Sequence, residues 1–173
     1  DDLTTRGEFA TLLVKGLNIP LNYDNKVQTY FDVVPNAKTD TWEFKYIETA
    51  SRAGIITGIT EGYFGVEEPI TREQAAMMIA RALKLKLPAN DSKLNATLAK
   101  QFLDSGRIDP YARPAVQAVY KAKIMDGQSV TTAGSKKASV NFNPKNNMTR
   151  AEAGKVAVEL LKKSSSIFPK NLS

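Results

Sequence analysis

The tetrapeptide Thr149-Arg150-Ala151-Glu152 decides how the chain is organised, because it occurs three times. The other copies are Thr5-Arg6-Gly7-Glu8 and Thr71-Arg72-Glu73-Gln74. In each copy a Thr is followed three residues later by Glu or Gln, which is the capping-box pattern of a helix N-terminus. The pattern predicts three capped helices, with the cap pairs Thr5 and Glu8, Thr71 and Gln74, and Thr149 and Glu152.

An apolar stripe with helical spacing follows each copy. After Thr149 the stripe consists of Ala153, Val156, Ala157, Leu160 and Leu161. The same offsets from the other two capping threonines are again mostly apolar. Positions spaced by three and four residues lie on one face of a helix. Three helices with one shared register predict three copies of one unit that pack together through these faces.

One residue of the tetrapeptide is unfavourable for the helix. Arg6, Arg72 and Arg150 each follow the capping Thr, where a cation faces the positive end of the helix dipole and costs a few tenths to about 1 kcal/mol. A local rule that is broken in the same way in every copy indicates a functional site. Free N–H groups at the helix start and a guanidinium suit capture of a carboxylate or phosphate. The alternative is that each Arg forms an ion pair with a nearby acid and locks the repeats together.

Composition narrows the functional classes. The 173 residues are 42% apolar and 24% charged, as in an ordinary globular protein, and no apolar run approaches the roughly 18 residues of a membrane span. The chain has no Cys and no His, so disulfides, thiolate or imidazole metal sites and a Ser-His-Asp triad are excluded. We expect neither a metal nor a cofactor. The net charge of +6 favours a polyanionic partner. Because Lys and Arg are scattered and no basic run is interleaved with aromatics, we expect an anionic polysaccharide and no nucleic acid.

Two longer stretches repeat each other around the second and third copies. The first opens with Phe31-Asp32-Val33, continues with a helix predicted from about Trp42 to Ala53, and turns at Gly54-Ile55-Ile56-Thr57-Gly58. The next opens with Phe102-Leu103-Asp104 and has Tyr111 in the place of Trp42, and its Ile124 and Gly127 match Ile55 and Gly58. A loop with Phe64 or Phe142 then leads into the capped helix. The predicted division of the chain is the second half of a first module (1–19), a linker (20–30), a second module (31–85), a linker (86–99), a third module (100–163) and a tail (164–173).

This arrangement resembles the S-layer homology (SLH) domain, which normally has three tandem modules. The aromatic residue, the Gly turn, the Phe loop and the Thr-Arg-x-Glu element in fixed order carry the resemblance. It implies an all-α fold, mainly helical with long loops, in which the capped helices form a central three-helix bundle with helix-loop prongs. It also implies no enzymatic activity.

The resemblance further implies a partner and a site. SLH domains anchor surface proteins without a covalent bond to the secondary cell wall polymer of Gram-positive bacteria, which places them outside the cell at the wall or S-layer. The recognised group is a pyruvate ketal on N-acetylmannosamine, and further S-layer protein domains are additional partners. By this resemblance Arg6, Arg72 and Arg150 meet the carboxylate in grooves between modules. The implied groove walls are Trp42, Tyr111, Gly58 and Gly127.

Two other functional classes stay open at this point. A structural module of a surface lattice would need no glycan site and would use each Arg as an internal ion pair. An acid-pair glycosidase would need two carboxylates in one cleft, and no spacing of Asp or Glu indicates such a pair. The first unit contains only its second half, so we expect two complete grooves and a third that lacks one wall.

Overall fold

The computed structural model describes residues 2–35, 41–131, 134 and 139–167, excluding the side chains at 41, 42 and 165–167. Within this part of the chain the structure is mainly helical, which confirms the predicted class. The α-helices are α1 (Arg6–Gly16), α2 (Thr41–Arg52), α3 (Arg72–Ala82), α4 (Ser92–Gln101), α5 (Arg113–Lys121) and α6 (Arg150–Ile167). Two single-turn 3-10 helices, Ser105–Arg107 and Pro110–Ala112, precede α5.

One small hairpin accompanies the helices. Strand β1 (Gln128–Val130) pairs antiparallel with β2 (Ser139–Asn141), and Gln128 lies opposite Asn141. The sequence indicated only an exposed loop from Thr131 to Ser139. Most of that loop lies outside the described residues, whereas the two strands that flank it were not predicted.

The three tetrapeptide helices begin where their caps predict. Thr5 Oγ1 accepts the Glu8 N–H at 3.0 Å, and Thr149 Oγ1 accepts the Glu152 N–H at 3.1 Å. At α3 both halves of the capping box are present, because Gln74 Oε1 also accepts the Thr71 N–H at 3.0 Å. Each cap satisfies one of the N–H groups that a helix start leaves without a partner inside the helix.

The residues just before the three caps form a closed ring. Thr4 N–H donates to the Met148 carbonyl at 2.9 Å, Met148 N–H donates to the Ile70 carbonyl at 2.8 Å, and Ile70 N–H donates to the Thr4 carbonyl at 2.9 Å. All three residues are buried. The ring joins the starts of α1, α3 and α6, and α1 contacts both of the other two helices.

Each module packs on its predecessor. Helix α2, the first helix of the second module, contacts α1, and α5, the first helix of the third module, contacts α3. Their inner faces are fully buried and include Ile47 on α2 and Val116 on α5. The contact between modules is therefore as much a part of the core as the contacts within one module.

The predicted linkers have different outcomes. Residues 20–30 contain neither helix nor strand, as expected, and the buried carboxylate of Glu48 on α2 accepts the Thr29 N–H and hydroxyl at 2.8 Å each. Helix α4, which was not predicted from the sequence, occupies most of the predicted linker 86–99, while the division into modules and linkers stays a prediction. Asp91 caps this helix through the Leu94 N–H at 3.0 Å, and α4 buries Leu94 and Leu98. Helix α6 continues past Lys163 to Ile167, into the first residues of the predicted tail.

The Gly turn after α2 depends on a close backbone approach. A Cβ on Gly58 would lie 2.5 Å from the Thr60 carbonyl oxygen and 2.6 Å from that of Tyr63. Both oxygens belong to the backbone of the same turn, so they cannot swing away as a flexible side chain would. The absence of a side chain at Gly58 therefore determines the shape of this turn.

We expect Gly58→Ala to lower the free energy of unfolding by about 1–3 kcal/mol, the usual cost of forcing an atom into a filled space. Gly154→Ala is the matched control, because a Cβ at this α6 position meets nothing within 4 Å. In a helix, Ala in place of Gly should raise the stability by about 0.5–1 kcal/mol. Urea unfolding followed by circular dichroism measures both, and equal stability of the two variants would contradict the steric role of Gly58.

Candidate functional site

The Arg6 side chain lies between modules rather than over its own helix. It is 4% exposed, and its Nε donates to the Phe64 carbonyl at 2.9 Å while Nη2 donates to the Thr57 carbonyl at 3.2 Å. The guanidinium carbon is 4.8 Å from the centre of the Phe64 ring. Burial lowers the pKa of Arg6 from its ordinary value, since the charged form loses hydration. Arg6 thus joins α1 to the Gly turn and the Phe loop of the second module.

Arg72 repeats this arrangement one module further on. It is 5% exposed, and its Nε donates to the Phe142 carbonyl at 2.8 Å while Nη2 donates to the Asp126 carbonyl at 2.6 Å. Its guanidinium carbon is 5.0 Å from the centre of the Phe142 ring. In addition, Nη1 forms an ion pair with Glu152 Oε2 at 3.0 Å.

Two aspartates hold the Phe loops in place. Asp32 accepts the N–H groups of residues 64, 65 and 66, each at 2.9 Å. Asp104 accepts those of Phe142 and Asn143 at 2.8 Å. Because a carboxylate that accepts several N–H groups fixes a loop backbone, these aspartates orient the carbonyls that receive the Arg Nε groups. Phe31, by contrast, is exposed and stacks on Tyr63 with ring centres 5.4 Å apart.

Arg150 has a different environment. Its side chain is 63% exposed, and its Nη2 lies 3.3 Å from Glu8 Oε2. It lines neither of the two grooves described below. The ligand-binding role of Arg150 therefore stays a prediction.

At α1 and α3 the helix-start N–H groups that the sequence offered for an anion are already bonded to carbonyl oxygens. The backbone N–H groups of Arg6, Arg72 and Arg150 donate at 2.8–2.9 Å to the carbonyls of Glu68, Asn146 and Asp2. Those of Gly7 and Glu73 donate to the carbonyls of Val66 and Pro144. These donors join the modules and are not available to an anion, so only the guanidinium part of the proposed anion site can contact one.

Two grooves open beside the buried arginines. The first, about 520 Å³, is lined by Arg6, Gly58, Tyr111 and one face of α3, with Gln74, Met77, Met78 and Arg81. The second, about 670 Å³, is lined by Arg72, Gly127 and one face of α6, with Glu152, Lys155, Val156 and Glu159. We call them the Arg6 groove and the Arg72 groove.

The grooves bring together most of the predicted site residues and add others. Arg6, Gly58 and Tyr111 share one groove, and Arg72 and Gly127 share the other. The side chain of Trp42 lies outside the described residues. Sequence reasoning missed Met77 and Arg81, although their spacing of three and seven residues from Gln74 indicates one helical face.

A charged cluster fixes the start of the third module against α3. Lys145 Nζ contacts the Glu73 carboxylate and lies 2.7 Å from Asp109 Oδ1. The Asp109 N–H donates to Glu73 Oε2 at 3.0 Å, and Tyr111 OH donates to Asp109 Oδ2 at 2.7 Å. Tyr111 is 67% exposed and lines the Arg6 groove, and the hydrogen bond to Asp109 fixes its hydroxyl end.

The cluster shifts its two carboxyl groups in opposite directions. The hydrogen bond from Lys145 lowers the pKa of Asp109 to about 2. Burial raises the pKa of Glu73 above its ordinary value, although Lys145 opposes that shift. Lys145 therefore favours the ionised form of both groups.

The described residues contain neither a candidate metal site nor a helix that could span a membrane. No group of three or more acidic residues that could hold a metal ion occurs among them. Among the same residues, every helix is too short or too polar to cross a bilayer.

Comparison with known proteins agrees with the mainly helical fold. The family model described as the S-layer homology domain matches residues 37–76 and 101–153, more than half of the chain. The chain belongs to the S-layer homology domain family. It is 34% identical to an endoglucanase of Bacillus sp. (strain KSM-635) over 95% of this chain and 15% of that protein. It is 31% identical to an amylopullulanase of Thermoanaerobacterium thermosulfurigenes over 94% of this chain and 8% of that protein.

The similarity extends to S-layer proteins. An S-layer protein of Bacillus thuringiensis subsp. finitimus is 30% identical over 86% of this chain and 16% of that protein. The chain thus spans a small part of each curated relative, so the activities in the enzymes' names are not carried over to it. Membership of the family makes it a region that attaches surface proteins to cell-wall polysaccharide without a covalent bond, at the cell surface.

The Lys145 cluster gives a pH-dependent prediction. Lys145→Ala leaves Glu73 buried without its cation, so we expect a loss of about 1–3 kcal/mol in the free energy of unfolding at pH 7. Glu73 has a folded pKa above the unfolded one, so its protonated form favours folding at low pH and that benefit disappears as pH rises. The loss should therefore be smaller at pH 4 than at pH 7.

Urea unfolding at the two pH values measures this difference. Lys93→Ala is the control, because Lys93 is an exposed residue of α4 and its removal should change stability by no more than about 0.5 kcal/mol. An equal loss at both pH values would show that Lys145 does not act through Glu73.

Proposed function

We propose that this chain anchors a surface protein by binding pyruvylated secondary cell wall polymer, with the Arg6 and Arg72 grooves as its sites. The ligand group is the carboxylate of a 4,6-pyruvate ketal on N-acetylmannosamine. The observation that carries the proposal is the same in both grooves. A guanidinium is held in the wall by backbone carbonyls of the next module, so its direction is set before any ligand arrives.

The groove walls also suit a sugar ring. Tyr111 presents an exposed aromatic face beside Arg6, and such faces cover the apolar side of a sugar ring. Gly58 and Gly127 bring backbone to the groove surface without a side chain, which permits close approach of a ligand. Trp42 and Arg150, which the resemblance names as ligand-binding residues, belong to the same proposal.

The chain's role in this proposal is binding, without catalysis. The enzymes among its relatives match over 8% to 15% of their own length, which suits an attachment region joined to separate catalytic parts. Secretion and attachment to further S-layer protein domains belong to the same proposal.

A structural module without a glycan site is the second candidate. It is favoured by the internal bonds of the arginines, since Arg72 pairs with Glu152 and Arg150 pairs with Glu8. In that case the protein should bind equally well to cell walls with and without the polymer. In the anchoring case, chemical removal of the polymer should abolish binding to the walls.

Arg→Lys substitutions test the anchoring proposal directly. Lysine keeps the charge but loses the planar fork, so we expect Arg6→Lys and Arg72→Lys each to weaken binding in their own groove by about 10- to 100-fold. Calorimetry with a pyruvylated N-acetylmannosamine saccharide measures this, with the same saccharide lacking the ketal as the ligand control.

Arg52→Lys is the matched protein control. Arg52 is exposed on α2 and donates to Asn22 Oδ1, away from both grooves. Because Arg6 and Arg72 are buried, urea unfolding must show that each variant is folded under the assay conditions. Equal affinity for the saccharides with and without the ketal, or unchanged affinity in both folded groove variants, would reject the carboxylate role.

A further inference from the structure

The two grooves differ at the third residue of the helix that forms one wall. In the Arg72 groove this residue is Glu152 on α6, and its Oε2 receives Arg72 Nη1 at 3.0 Å. In the Arg6 groove the equivalent residue is Gln74 on α3, whose Oε1 accepts the Thr71 N–H. Glutamate and glutamine both complete a capping box. The helix start is therefore preserved in both cases, while the charge beside the arginine is not.

Arg6 consequently keeps an open donor. Its Nε and Nη2 bond to carbonyl oxygens, and among the described residues no carboxylate lies within ion-pair distance of it. Arg6 Nη1 has no hydrogen-bond partner among the described residues. It is also not one of the fully buried side-chain atoms that lack a partner, so part of its surface is accessible. Because Arg6 lines the groove, Nη1 is the guanidinium nitrogen that an incoming anion can reach.

The charged residues that line the two grooves also favour an anion in the Arg6 groove over one in the Arg72 groove. The described lining of the Arg6 groove carries Arg6 and Arg81 and no acid. The lining of the Arg72 groove includes three acids, which offset most of its cations: Asp126, Glu152 and Glu159. Glu68 and Asp32 act on the charge of Arg6 from a distance, but among the described residues neither forms an ion pair with it. Because a buried cation is costly without a directly paired carboxylate, an anion that enters the Arg6 groove supplies that contact. An anion that enters the Arg72 groove meets a carboxylate that already occupies Nη1.

We propose that the residue three positions after the capping Thr determines which groove receives the acid group, so that the Arg6 groove, with Gln74, is the primary carboxylate site. The Arg72 groove is then partly neutralised by Glu152 and binds the same group more weakly. This inference rests on the proposed function for the identity of the glycan, but its electrostatic basis applies to any small carboxylate.

Reciprocal substitutions test it in the full chain. Gln74→Glu should place a carboxylate beside Arg6 and weaken carboxylate binding there by about tenfold or more. Glu152→Gln should release Arg72 Nη1 and strengthen binding in the second groove by a similar factor. The double variant should reverse the order of the two grooves. Since both side chains can complete a capping box, urea unfolding should show a folded protein in every case.

Two probes are needed, and both are read groove by groove. The Nε–H signals of Arg6 and Arg72 in nitrogen-15 NMR report each site during titration with sodium pyruvate and with the pyruvylated saccharide. We expect the Arg6 signal to saturate first in the unmodified protein with both probes. The Arg6→Lys variant lacks the Arg6 Nε–H group, so the signal that disappears in it is assigned to Arg6.

The outcomes separate this inference from the anchoring proposal. If the saccharide binds and Arg6→Lys weakens it, but Gln74→Glu changes affinity less than twofold, the selecting role of residue 74 is wrong while the anchoring proposal stands. If pyruvate follows the expected order but the saccharide binds to neither groove, the glycan assignment fails and the electrostatic one holds. Earlier saturation of Arg72 than Arg6 with pyruvate would overturn the inference outright.

Discussion

The bond from a buried arginine to the Phe loop of the next module is the interaction on which the rest of this structure depends. Arg6 reaches the Phe64 carbonyl and Arg72 reaches the Phe142 carbonyl. Each loop is held in turn by an aspartate that accepts its N–H groups. These bonds cross between modules, so they hold each module against the next. The arginine is therefore part of the core and part of the groove wall at the same time.

This double use explains why a cation follows the caps of α1 and α3. In α1 and α3 the guanidinium extends away from its own helix start to carbonyl oxygens of another module, so the local cost of facing the dipole is offset by contacts distant in sequence. Because the same contacts orient the guanidinium, the groove is organised before it meets a ligand, as a selective site requires. Under the proposed function, anchoring and folding use the same side chain in each groove, so the internal bonds of the arginine do not exclude a role in binding.

The sequence predicted the elements that rest on local rules. Caps at Thr5, Thr71 and Thr149, the helix at 41–52 and the turn at Gly54 follow from contacts within a few residues. The interaction that joins the modules could not be read in this way, because the Arg6 and Arg72 acceptors lie 58 and 70 residues away. The three-residue strands β1 and β2 are too short for a periodic pattern. Helix α4 was different, since Asp91, Leu94 and Leu98 already carried its cap and its apolar spacing.

Repetition of a module does not require equivalence of its sites. The capping box restricts its third helical position to Glu or Gln, and either one starts the helix, so this position can exchange a charged for a neutral side chain at little cost to the fold. In this chain that exchange separates an arginine whose Nη1 is bonded to Glu152 from one whose Nη1 has no partner among the described residues. Local helix chemistry restricts the shape of the side chain at this position but not its charge. Repeated modules can therefore differ here in the charge beside the arginine while they keep the same helix start.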